Sequence, residues 1–161
     1  MKAIIAVLFL IGCLSSVVHA EQSCNSAIEP STPSSQFILM GSEVKDVKTN
    51  LIWKRCSVGQ YWNGSQCTGT TSALSWEQAL AQSGSGWRLP NIKELLSIVE
   101  VSCGSPAANI KIFPNTPNVF FWTGSPYTNN NQVWSVSFED GNDEGGNKST
   151  QGAVRLVRNA N

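Results

Sequence analysis

Gly86-Trp87-Arg88-Leu89-Pro90-Asn91-Ile92-Lys93-Glu94-Leu95 is the stretch whose reading decides the fold. Pro90 fixes the path into a helix, and Asn91 with Glu94 three residues on forms a capping box in which each side chain satisfies a backbone N–H of the other. Ile92, Leu95, Leu96 and Val99 follow at i, i+3, i+4 and i+7, so one face is expected to be buried while Lys93, Ser97 and Glu100 face water. Arg88 admits two roles. Beside aromatic rings a guanidinium can hold an anion or a sugar carboxylate. The stronger reading is structural, with Arg88 bonding carbonyls and lying against Trp87 to fix the turn.

Upstream, Ser75-x-x-Gln78 is a second capping box, with Trp76, Ala79 and Leu80 at helical spacing and Gly84 to stop the helix. Phe37 to Met40, Val44 to Val47 and Leu51 to Trp53 read as short strands, the last two joined by a turn at Thr49-Asn50. Downstream, Pro106, Pro114 and Pro117 interrupt regular structure, and Ile110, Ile112 and Phe113 are expected to pack that segment over a sheet. Val119 to Thr123 is a strand, followed by a polar loop from Gly124 to Gln132. In the next strand, Val133 to Glu139, the period of two puts Trp134, Val136 and Phe138 on one face. After the turn Asp140-Gly141-Asn142 and a polar segment to Gln151, Ala153 to Arg158 is expected to return antiparallel to its predecessor. Two helices and short strands without a βαβ rhythm make an α+β class, a single domain over residues 37–161 behind an extended leader, residues 21–36.

The N-terminus reads as a signal for export. Lys2, the apolar run Ala3 to Leu14 and the small residues up to Ala20 predict cleavage after Ala20, giving a signal peptide over residues 1–20. The apolar run of roughly 12 residues is too short for a bilayer that needs about 20. Leu10-Ile11-Gly12-Cys13 is a rival, a lipobox that would lipidate Cys13. Of five cysteines, removal of Cys13 leaves Cys24, Cys56, Cys67 and Cys103, an even number suited to an oxidising compartment. Cys56 and Cys67 bracket a short loop with turns at Gly59 and Asn63-Gly64, which favours Cys56–Cys67 and hence Cys24–Cys103 among the three pairings. Paired short C-x-x-C units of the sort zinc prefers are missing. The one histidine, His19, lies in the signal segment, so cleavage removes histidine bases, nucleophile partners and metal ligands together. Without Lys2 the 11 Lys plus Arg become ten against 11 Asp plus Glu. That near-neutral balance, with no basic run, argues against nucleic acid as a partner.

The ordered set Asp46-x-x-Thr49-x-Leu51-x-Trp53-x-Arg55-Cys56, Trp87-Arg88-Leu89-Pro90, Phe121-Trp122-Thr123, Trp134-x-Val136-x-Phe138, Gly141 and Val154 to Arg158 resembles the Lcl C-terminal domain family, named for a collagen-like bacterial adhesin. The resemblance implies a C-type-lectin-like fold related to formylglycine-generating enzymes, a bacterial source, and a homotrimer that binds sulfated glycosaminoglycans through a basic surface. Lys111, Lys148, Arg155 and Arg158 are few for such a face. It also implies an alternative, a formylglycine-generating type of enzyme, which needs two free thiols for copper.

Three groups of residues are candidates for a site. Tyr127, Asn129, Asn130, Asn131 and Gln132 combine an aromatic platform with amides that suit a sugar. Lys148 and Arg155 are the charges expected to meet an anionic glycan. Asp140, Asn142, Asp143 and Glu144 gather the oxygen ligands that calcium takes, although Gln151 stands where an EF-hand has its bidentate Glu. The sequons Asn63-Gly64-Ser65 and Asn147-Lys148-Ser149 are expected unmodified in a bacterium. The function these features favour is a secreted or cell-surface module that recognises a glycan or surface protein without catalysis or an obligate cofactor, calcium being the one ion considered. A periplasmic or envelope structural domain with no small ligand is the third reading.

Overall fold

The computed structural model describes residues 21–160; the expected signal peptide, residues 1–20, and its rival, a lipobox at Cys13, lie outside the described residues. In chain order the strands and helices are β1 (Ser23–Cys24), β2 (Phe37–Met40), β3 (Glu43–Asp46), β4 (Leu51–Lys54), β5 (Tyr61–Trp62), β6 (Cys67–Thr68), α1 (Trp76–Leu80), α2 (Ile92–Leu96), β7 (Cys103–Gly104), β8 (Phe120–Pro126), β9 (Gln132–Ser137), β10 (Asp143–Asn147) and β11 (Val157–Asn159). It is a mixed domain with two short helices, short antiparallel strands and the two expected disulfides, Cys24–Cys103 and Cys56–Cys67.

A four-stranded sheet, β11-β4-β3-β2, and a three-stranded sheet, β10-β9-β8, turn their inner faces to one core. Val44, Trp53 and Val157, aligned across three strands, meet Phe121, Val136 and Phe138 from the other sheet. Leu95, Ile98 and Val99 close one side of this core, while Ile112 and Phe113 complete it. A second cluster, Ala79, Leu89, Trp122, Val133 and Val154, covers the other face of β8 and β9. Trp122 can therefore be fully buried beside an equally buried Phe121, because both faces of the strand are covered.

Both capping boxes form. Ser75 and Gln78 exchange bonds at α1, and Asn91 and Glu94 do so at α2. At the corner Arg88 does bond a carbonyl, that of Leu89 at 3.2 Å, but its main side-chain partner is Glu94 and it does not stack on Trp87. Arg88 exchanges backbone bonds with Val157, both 3.0 Å, and sets its guanidinium on Glu94 at 2.7 and 2.8 Å. One carboxylate thus caps the helix and holds the arginine. Trp87 is instead faced by Lys54, 4.1 Å from the ring centroid, and Arg158, 5.1 Å away.

Several further expectations are corrected. The chain from Ala153 does not pair with the preceding strand Val133 to Glu139: the polar segment between them supplies β10, which takes that place beside β9. Ala153 instead runs parallel beside Phe121, and Val157 to Asn159 join β4, so this one stretch stitches the two sheets together. Its apolar alternation is satisfied by two successive partners rather than one. Leu80 and Ile110 are exposed, because the helix and the loop that carry them are too short to be enclosed.

Glu100 was expected in water and is 3% exposed. Its Oε1 accepts from the Ser31 and Ser102 backbone N–H groups and both hydroxyls, and its Oε2 from Thr32 N at 2.9 Å and Thr32 Oγ1 at 2.8 Å. Burial opposes its charge, but the bonds from Ser102, Thr32 and Ser31 prevail and bring the carboxyl down to about 2. The leader is therefore a strap clamped by a buried carboxylate as well as by Cys24, with Gln22 donating to the Pro106 and Ala108 carbonyls at 2.7 Å each.

Candidate binding site

Strand β8 shifts register between Trp122 and Pro126, and Thr123 spans the irregularity by donating to the Trp134 carbonyl at 2.6 Å. Tyr127 then folds back edge-on to Trp134, with ring centroids 4.6 Å apart. The Tyr127 ring also occupies the space above Gly145, where a Cβ would come within 2.8 Å of it. Glycine is required there so that the ring can lie flat on β10.

The loop after Tyr127 is tied to β10 and to α1 through one residue. Lys148 donates its backbone N–H to Asn131 O at 3.1 Å and its ammonium to Asn130 O at 2.7 Å. Its own carbonyl receives the Trp76 N–H at 3.0 Å. The ammonium lies 4.8 Å from the Trp76 ring centroid, and the indole N–H donates to Thr123 O at 2.9 Å. Ser75, Trp76, Glu77, Lys148 and Ser149 line an open recess of about 650 Å³ beside the exposed Asn129 and Asn130. Asn129, Asn130 and Lys148 are thus brought to one rim, with Trp76 added, and Tyr127 stands at the start of the same loop over Gly145. Trp76, at helical spacing with Ala79, packs one side against the second core cluster and presents the other to Lys148. Its place as the first residue of a five-residue helix leaves it half-buried at the edge of that cluster, which is the signal for a ring shared between core and surface.

The remaining candidates are elsewhere. Asp143 pairs with Val136 at one end of β10 and Asn147 with Gln132 at the other, which separates Asp143 from the rim by about 13 Å at 3.3 Å per residue. Arg155 is not a surface charge: it is 1% exposed, bonded to the Lys54 and Arg55 carbonyls and to Thr116 Oγ1 at 2.8 Å, and flanked by Phe113 and Phe121. Burial pulls its guanidinium down to about 9, still charged at neutral pH. The four calcium candidates do not converge. Asp140 spends its carboxylate on Asn142, and among the described residues no three His, Cys, Asp or Glu side chains are grouped to hold a metal.

The family model of the Lcl C-terminal domain matches residues 42–158, from the start of the β3 hairpin into β11. The chain belongs to this family. No curated protein and no solved structure matches it. The Lcl C-terminal domain is a bacterial surface-associated domain, and two disulfides suit an oxidising compartment such as the envelope or the exterior. Among the described residues no helix is long and apolar enough to cross a membrane. All four cysteines of the described Lcl domain and its strap are paired, so among the described residues there is no free thiol for a copper-dependent oxidase.

Proposed function

We propose that this domain is an exported, non-catalytic binding module of C-type-lectin-like fold that recognises a glycan on a surface. The observation that carries the reading is the convergence on Lys148 of Trp76, the Asn130 carbonyl and the Asn131 carbonyl, which joins an indole, a cation and exposed amides on one solvent-facing rim. Sugars need those groups: apolar ring faces lie on aromatic rings, while hydroxyls exchange bonds with amides. Paired thiols speak against the formylglycine-generating alternative. One such rim is shallow and water-competed, so binding per site is weak and association into a homotrimer would raise it by avidity. For an anionic glycan Lys148 is the charge at the rim, and affinity falls with salt because the ammonium is exposed to screening.

A glycan array probed with artificially trimerised domain tests the reading, alongside Trp76→Ala, Tyr127→Ala, Lys148→Ala and Asp143→Ala and a chelator. Loss of signal is expected for the first three, with none from Asp143→Ala or chelation. Binding unchanged by all three rim variants refutes the site, no glycan signal at all favours a structural envelope domain, and turnover of any substrate by the purified domain refutes the non-catalytic reading.

A further inference from the structure

On the outer face of the four-stranded sheet, away from the Trp76 rim, Glu43 binds two cations at once: Lys54 at 2.8 Å and Arg158 at 3.0 Å. Both face the Trp87 ring. Burial works against the Glu43 charge, but the bonds from Lys54 and Arg158 outweigh it and hold the carboxyl below its usual range. Arg88 is separately matched by Glu94. Among the described residues, three cations against two carboxylates leave one positive charge uncompensated beside the indole.

That charge lies at a cleft of about 440 Å³ lined by Glu43, Ser85, Gly86, Trp87, Arg158 and Asn159, with Arg88 at its base. The wall is built rather than incidental. Gly84 and Trp87 exchange backbone bonds of 2.9 Å across a tight turn in which Ser85 (φ 50°) and Gly86 (φ 84°) are both left-handed, the geometry of a type I′ hairpin. A non-glycine residue seldom holds that conformation, and the two backbone bonds between Gly84 and Trp87 hold the turn that presents Trp87 in it. Several donors of the lining are unused. Arg158 gives only Nη2 to Glu43, and Asn159 spends its carbonyl on Arg88 at 3.1 Å, which leaves its amide N–H groups free; the Gly86 N–H has no protein acceptor among the described residues.

We propose that this cleft is a binding site for a singly charged carboxylate, held by the Arg158 fork and the Asn159 amide against Trp87. A monoanion neutralises the surplus charge, whereas a dianion would leave negative excess beside Glu43. Glu43 is then the resident competitor: the ligand carboxylate shares with it the cations that it now holds alone. The site is independent of the Trp76 rim, so either can fail without the other.

The test is a titration of the purified, disulfide-intact domain with sodium glucuronate, followed by the Trp87 indole and Gly86 amide resonances, with glucose and sulfate as comparison arms. Glucuronate should give saturable shifts confined to the cleft, glucose none, and sulfate at least about threefold weaker binding. Arg158→Gln should weaken glucuronate about tenfold or more, the scale of one charge-assisted hydrogen bond. Glu43→Gln should act in the opposite direction and tighten binding severalfold, because it frees both cations while keeping the shape of the side chain. Misfolding cannot mimic that gain. No saturable shift, equal binding of sulfate, or a Glu43→Gln variant that binds more weakly than the parent would each overturn the proposal.

Discussion

Replacing Glu100 by Gln should unclamp the strap. The carboxylate accepts six hydrogen bonds, two of them backbone N–H groups on Oε1 and one on Oε2. A glutamine must point its NH₂ at one of these sets, and a backbone N–H cannot rotate away as a hydroxyl can. The size of the effect follows from linkage. With the folded carboxyl at about 2 and an ordinary value of 4.5, the difference of roughly 2.5 units is about 3 kcal/mol at 1.36 kcal/mol per unit. Because the folded value is depressed, this stability is fully present above about pH 4.5 and is lost as pH falls through about 2. Denaturant unfolding of parent and Glu100→Gln should therefore differ by about 3 kcal/mol at pH 7, and the gap should close between pH 4.5 and 2. Glu43 and Glu94 titrate in both proteins and cancel from the difference. A gap that is absent at pH 7, or one that persists undiminished at pH 2, refutes the clamp.

The α2 cap and its buried face are separable: Asn91→Ala should cost about 0.5 to 2 kcal/mol and Leu95→Ala about 2 to 5 kcal/mol, both read by thermal or urea melts. Gly152→Ala should destabilise by about 1 to 3 kcal/mol, since a Cβ would meet the Phe120 ring at 2.3 Å in the second core cluster; a neutral melt would show that Phe120 can step aside. Arg155→Lys should lose more than a conservative exchange suggests, about 1 to 3 kcal/mol for each partner abandoned, because one ammonium cannot span the Lys54 and Arg55 carbonyls and the Thr116 hydroxyl together.

What the sequence made legible was local. Each capping box is written in four consecutive residues, and both form; β2, β3 and β4 are bounded by turns that lie beside them. The Cys56–Cys67 loop is local too, and its pairing fixes the other by elimination. The misreadings involve distant partners. Glu100 looks like the polar face of a helix until Ser31 and Thr32 arrive from almost 70 residues away. Arg155 looks like the outward residue of an alternating strand, yet its face is enclosed because the strand bridges two sheets instead of edging one. Within the candidate site, Tyr127, Asn129, Asn130 and Lys148 were readable as polar loops around a hairpin, whereas Trp76 reaches them only because Lys148 accepts its N–H.

The stitching of the two sheets by residues 153–159 has a consequence for how the molecule acquires its structure. Val157 pairs with Trp53 and Arg155 reaches the Lys54 and Arg55 carbonyls, contacts about a hundred residues apart in sequence. Loop closure over that span must precede the reward, so topology of this kind folds slowly compared with helical bundles. The hairpins β2-β3-β4 and β8-β9-β10 can assemble early, but the cavity between them stays open until the last few residues of the domain arrive. A chain cut just before residue 153 would keep every hairpin and both disulfides while losing the strand that seals Trp53, and should behave as two ribbons on a common thread.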